Sequence, residues 1–262
     1  MTTGSTGLDT PIDEFLFSEL LFDETPAHYR RTPKKSRVVY QILKRRILLG
    51  DLTEESAITE QALAQSFSCS QGTIREALLT LQEDGLVDRR GYQGTYVTLT
   101  SPQEAVLLAR LRLSLEFESV TAEGIANCTP QHMDRLRKLA NAYIEARARE
   151  DVYACSEIDR ALHMALFSLN NMPGLEPVLS RTLLLLHRHS LARLRGRVEW
   201  KSLQKDPHGP ILDALENRDL EQVRQRLIEH VSRAMLMMMP DVHAIAIAPS
   251  DVKFGMLSKS TS

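Results

Sequence analysis

From Ser36 onward apolar side chains recur at three- and four-residue steps, with Val39, Ile42, Leu43 and Ile47 on one helical face and Gly50 as a stop. The stretch LTEESAI then runs extended. Thr59 is placed to cap a short helix reaching about Phe67 with Leu63 inward. Ser70 is placed to cap a third helix, with Ile74, Leu78 and Leu81 inward and Gly85 ending it. After that helix the period drops to two. LVDRR and TYVTL alternate in the manner of strands around GYQG, whose glycines supply the positive-φ positions of a tight turn.

Strand patterning ceases after the TSP at 100–102. Helical periodicity then predicts Glu104 to Ala126, a Thr129-Pro130 start running to Arg149, Val152 to Leu169, a stretch from Pro173 to about Arg197, and two more separated near Asn217-Arg218-Asp219. The expected fold is mainly α: an N-terminal winged helix-turn-helix over 30–98, then an all-α antiparallel bundle of about six helices over 103–239. Residues 1–29 form an acidic arm with an apolar face at Phe15, Leu16, Leu20 and Leu21, and 240–262 lack clear periodicity and are expected to be a tail.

A formal charge of −2 looks unsuited to a nucleic-acid partner until it is divided along the chain. The arm carries six acidic and no basic residues, whereas 30–98 carries eleven Lys or Arg against eight Asp or Glu, so the positive charge sits with the winged helix. Three cysteines, far apart and without CxxC spacing, support neither a disulfide framework nor a thiolate zinc site; Cys69, Cys128 and Cys155 are expected to be buried as small hydrophobes. The longest apolar runs, such as LLLL at 183–186, are too short to span a membrane, and the N-terminus lacks the basic-then-apolar pattern of a signal peptide. The expected location is cytoplasmic.

Ser70, Gln71, Gly72 and Thr73 occupy the first turn of the third helix, where backbone N–H groups and small hydroxyls can approach phosphates and a Gln can pair with a base edge. Arg75 lies one turn further in. The wing offers Arg89, Arg90, Gly91, Tyr92, Gln93 and Gly94. Alternatively Ser70 is only a cap and Arg75 only a surface charge beside Glu76; helix spacing, hairpin and basic flank together favour double-stranded DNA. This region, with REALLTLQEDGLV its most specific stretch, resembles the DNA-binding domain of the GntR family of bacterial transcription regulators. Gln71 and Gln61 stand where the family often has Arg after the third-helix cap and Arg or Glu early in the second helix, which implies a different base preference.

Asp159 and His163, four apart in DRALH, share one helix face, and His208 and His230 lie further along beside helical pattern. One carboxylate and three imidazoles suit zinc, nickel or a related divalent ion with coordination positions left open. Spacing alone leaves the metal open, because eight histidines in a helical chain offer many such pairs; His187 and His189 read as surface or core residues. The bundle over about 104–235 is similar to the FCD effector domain of the FadR-like branch of GntR regulators. That resemblance implies that Asp159, His163, His208 and His230 form a metal site and that Arg112 pairs with an anionic effector, a small organic acid. The alternative for Arg112 is a salt bridge to Glu116. SLNNMPGL departs from the family's turn, so Asn170 and Asn171 inherit no role.

The function expected is a homodimeric, ligand-responsive repressor on a palindromic operator. A metal-dependent hydrolase with a nucleic-acid-binding appendage is the alternative, although neither HExxH nor GxSxG occurs. A third reading makes the bundle a dimerisation module with a vestigial metal.

Overall fold

The computed structural model describes residues 34–90, 94–194, 198–201 and 204–246, which form two compact units that divide between Thr98 and Leu99. The N-terminal arm lies outside the described residues.

The first unit contains α1 (Lys35–Leu48), α2 (Glu60–Ser66), α3 (Gln71–Glu83), β1 (Val87–Arg89) and β2 (Thr95–Val97). Ser70 and Thr59 cap their helices as expected, accepting from the backbone of Thr73 and Ala62. Gly85 leaves α3 at a φ of 76°, a conformation an L side chain resists. The strands pair antiparallel, Val87 opposite Val97, and Ile58 bridges to Thr95 on the far side. Val39, Leu43, Ile47, Ile74, Leu78, Leu81 and Leu86 make the core. Two expectations shift. α2 buries none of its side chains fully, so Leu63 is only half-buried, and α1 buries Lys44, whose ammonium lies 5.4 Å from the Tyr40 ring centroid.

The second unit is wholly helical among the described residues: α4 (Pro102–Ser119), α5 (Ala122–Ala126), α6 (Pro130–Ala148), α7 (Val152–Ser168), α8 (Glu176–Leu194), α9 (Gly209–Glu216), α10 (Leu220–Met238) and α11 (Pro240–Ala246). The single helix expected over 104–126 is two. The chain turns extended at Val120 and restarts with Thr121 capping Gly124. Distant groups satisfy the interrupted backbone. The Arg224 guanidinium donates twice to the Val120 carbonyl, at 3.0 and 2.7 Å, and the Thr121 N–H donates to Asn170 Oδ1 at 3.2 Å. Gly124 makes room for that amide, since a Cβ there would lie 1.9 Å from Asn170 Oδ1. The expected tail begins with a helix instead: Val242 and Ala246 of α11 pack with Ala105, Ala109, Leu113 and Met235.

Candidate functional site

Two places carry chemistry. In the first unit, α3 presents Gln71 and Gly72 exposed, Thr73 half-buried and Arg75 exposed. The Ser70 hydroxyl is committed to the α3 N-terminus, within 2.9 Å of the Thr73 hydroxyl as well. Arg75 does not stand beside Glu76 as a lone surface charge. Its Nη2 and Nε donate to the two Glu60 oxygens at 2.8 and 3.2 Å, and Arg89 Nη2 donates to the same carboxylate at 2.7 Å. The arginine hydrogen bond holds the Glu60 pKa below its ordinary value. Glu60 thus ties the first turn of α2 to α3 and β1, a role that sequence reading missed because the three residues are remote along the chain. Arg90 Nε donates to Asp88 at 2.9 Å, and its guanidinium lies 5.1 Å from the Tyr96 ring centroid. Gly94 has a φ of 98°. Gly91, Tyr92 and Gln93 lie outside the described residues.

In the second unit α7 carries Asp159 and His163, α10 carries His230, and His208 immediately precedes α9. One ligand atom from each lies within 4.8 Å of the others. Asp159 Oδ1 is 3.0 Å from His208 Nε2, 3.4 Å from His230 Nε2 and 3.6 Å from His163 Nε2, and the last two nitrogens are 3.0 Å apart. The four quoted separations, 3.0 to 3.6 Å, come close to the edges of a coordination polyhedron with bonds of about 2.0–2.1 Å, which are roughly 3.0 Å in an octahedron and 3.4 Å in a tetrahedron, while the widest spacing in the set, 4.8 Å, exceeds either. Three imidazoles turning the same nitrogen toward one carboxylate oxygen is a donor set that suits a divalent ion.

Arg112 Nε donates to Glu116 at 2.7 Å, the salt bridge weighed from sequence. Its Nη2 also reaches the cluster, 3.0 Å from His163 Nε2 and 3.7 Å from Asp159 Oδ2. Glu116 holds His163 Nδ1 with its other oxygen, orienting the ring as a carboxylate behind a ligating histidine does. His187, read from sequence as an ordinary surface or core residue, places Nε2 3.2 Å from Asp159 Oδ2. Neither Glu116 nor His187 announces this by spacing.

Burial dominates the proton affinities here and is overruled where carboxylates cluster. It pushes His230 down to about 4 and lowers His208, keeping both imidazoles neutral as ligands must be. Burial opposes charge on His163 too, but Glu116 and Asp159 outweigh it and raise the group to about 9. Glu116 falls to about 2 against its own burial, because His163 and Arg112 favour its anion, and Asp159 is held well below the usual carboxylate range by His163 and its other histidine partners.

A cavity of about 100 Å³ adjoins the cluster, with Arg112, Asp159 and His187 in its lining. Cys155 also lines it; burial pushes the thiol up to about 12, so it stays protonated. Cys128 is buried likewise, whereas Cys69 is only half-buried, a departure from the expectation for all three. No described helix is long and apolar enough to cross a membrane.

Comparison with known proteins follows this division. Residues 35–97 match the bacterial regulatory proteins of the gntR family, and 107–233 match the FCD domain. HTH-type transcriptional regulator McbR of Escherichia coli K12 is 26% identical over 131 residues, 50% of this chain and 59% of that protein. The chain thus spans well under two thirds of that relative's length in the aligned stretch. The uncharacterized HTH-type transcriptional regulator YcbG of Bacillus subtilis is 24% identical over 211 residues, 74% of this chain and 84% of that one. Among solved structures, E. coli McbR/YncC superposes with a TM-score of 0.66 at 22% identity, over 79% of this chain and 98% of the other, a likeness of fold.

Proposed function

The chain belongs to the GntR family of regulators that carry an FCD domain, and from that membership we propose that it is a DNA-binding transcription regulator, a repressor, released from its operator by a small carboxylic acid. The observation that carries the effector half is the convergence of Asp159, His163, His208 and His230 with the edge of Arg112. A divalent ion, zinc or nickel, fits this donor set and would supply a Lewis-acidic centre with positions left for a carboxylate. Arg112 is held by Glu116 so that Nη2 faces the cluster, ready to fork onto an anion arriving there. Asp159 is the sole carboxylate among the described residues lining the cavity, and it belongs to the proposed ligand set.

The DNA half rests on α3 and the wing. Ser70, Gln71, Gly72, Thr73 and Arg75 lie on or just before the first turns of α3, and Arg90 and Gly94 lie between β1 and β2, in the stretch read from sequence as the wing. A dimer on a palindromic operator suits the few base pairs one such head can read, and the cytoplasm is the location proposed for it.

The test is operator release. Wild type, His208→Ala and His230→Ala are titrated on labelled operator with candidate acids while bound metal is measured in parallel. The variants should lose most of the metal and the response to acid yet keep DNA binding. A metal-free variant that releases DNA normally would sink the mechanism.

A further inference from the structure

The cavity beside the cluster has its charged groups at one end. Arg112, Asp159 and His187 supply that end, and Arg112 is the sole Arg or Lys among the described lining residues. His187 Nε2 is committed to Asp159, while its Nδ1 is buried with no partner among the described residues, which leaves one more hydrogen-bonding position in the lining. Elsewhere the wall is largely apolar, with Leu186 and Leu191 from α8, Met235 and Met238 from α10, Met239 just beyond it and Trp200 from the segment before α9; Tyr143, Ser156 and Ser190 add neutral hydroxyls, and those of the two serines donate to the Tyr153 and His187 carbonyls. The Trp200 backbone carbonyl accepts from Arg147 of α6 at 2.6 Å.

We propose that this cavity selects monocarboxylic acids with an apolar body, an unbranched chain or an aromatic ring, over polycarboxylic acids. This rests on the metal-and-carboxylate reading of the same site. One guanidinium can neutralise one carboxylate, and a second carboxylate would meet only neutral hydroxyls, an imidazole nitrogen and apolar side chains, which leave its charge uncompensated. Three methionines at the apolar end adapt to either a chain or a ring, because the thioether side chain is unbranched and polarizable.

Trp200 is the only tryptophan of the chain, so its emission reports occupancy of the cavity without a label. The zinc-loaded full-length protein is titrated with acetate, butyrate, hexanoate and phenylacetate, with succinate and citrate as polyacids and hexanamide as the neutral match for hexanoate. Affinity is taken from calorimetry alongside the emission change. Affinity should rise about fourfold per added methylene, butyrate should bind tighter than succinate, and half-buried Met238→Gln should flatten the chain-length slope with zinc content unchanged. Succinate or citrate binding tighter than butyrate overturns the selectivity and leaves the metal-and-carboxylate site standing. Hexanamide binding as well as hexanoate, undiminished by Arg112→Ala, overturns both, as does a failure of every acid to bind.

Discussion

The Arg75 guanidinium forks onto the Glu60 carboxylate, one nitrogen to each oxygen at 2.8 and 3.2 Å, so the arginine proposed to read DNA is held by an acid. The pair is exposed on the arginine's side and contributes little to stability. Its proposed consequence is for recognition, because a carboxylate next to Arg75 repels phosphate and narrows the poses the guanidinium can adopt. Glu60→Gln should raise affinity for random DNA and compress the operator-to-random ratio about tenfold, whereas Arg75→Ala should weaken operator binding about tenfold or more. Fluorescence anisotropy on both DNAs across a salt series measures this. An unchanged ratio in Glu60→Gln would remove the acid from any role in selectivity.

The wing arginines should behave differently. Arg89 is bound to Glu60 and Arg90 to Asp88, and neither is fixed in a pose that specifies a base edge. The double change Arg89→Ala with Arg90→Ala should lower affinity for all sequences alike and reduce the salt dependence. A loss confined to the operator would contradict a backbone role.

Assembly is predicted from the reading head: a dimer on a dyad-symmetric operator, visible by sedimentation as two chains per site. A monomer that holds one half-site at full affinity would refute this.

What the sequence disclosed is what local rules govern. Periodicity and caps located α1, α3 and α6 closely, since Ser70 and Thr129 satisfy their own helix starts within three residues. The break at Val120 was not legible, because the groups that stabilise it, Asn170 and Arg224, come from elsewhere in the fold. Buried Lys44 breaks the apolar pattern, and α11 is too short for a period to show. Asp159 and His163 were legible as an i,i+4 pair, yet adding His208 and His230 relied on resemblance. The parts played by Glu116 and His187 are purely tertiary.

The titrating groups of the cluster predict a stability optimum for metal-free protein. His163 has its pKa raised to about 9, so its stabilising contribution is full below its ordinary value of 6.5 and is lost as pH rises through 9. His230, lowered to about 4 by burial, acts oppositely, and stability falls as pH drops from 6.5 toward 4. Melting in chelator should therefore show the highest Tm near pH 6.5 and a decline toward 9 that His163→Gln abolishes. Added zinc needs the deprotonated ring, so its stabilisation should grow over the same interval. An alkaline decline unchanged in His163→Gln would assign it to other groups.

Glu116 is the residue through which metal and effector should be coupled. One of its oxygens accepts from Arg112 Nε at 2.7 Å and the other contacts His163 Nδ1, so the arginine proposed to hold the acid and a histidine proposed to hold the ion share one carboxylate. All three side chains are buried, which makes any unmatched charge among them costly and the arrangement stiff. Glu116→Gln keeps the shape but offers an amide nitrogen where one of the two partners now finds an acceptor. Removing a carboxylate behind a ligating histidine typically costs about 10- to 100-fold in metal affinity, and loosening Arg112 should weaken acid binding as well. Zinc affinity by chelator competition and acid affinity at saturating zinc separate the two effects. If both fall, Glu116 positions both groups; if zinc affinity falls while acid affinity at saturating zinc is unchanged, the effector does not depend on the Arg112 pose that Glu116 sets.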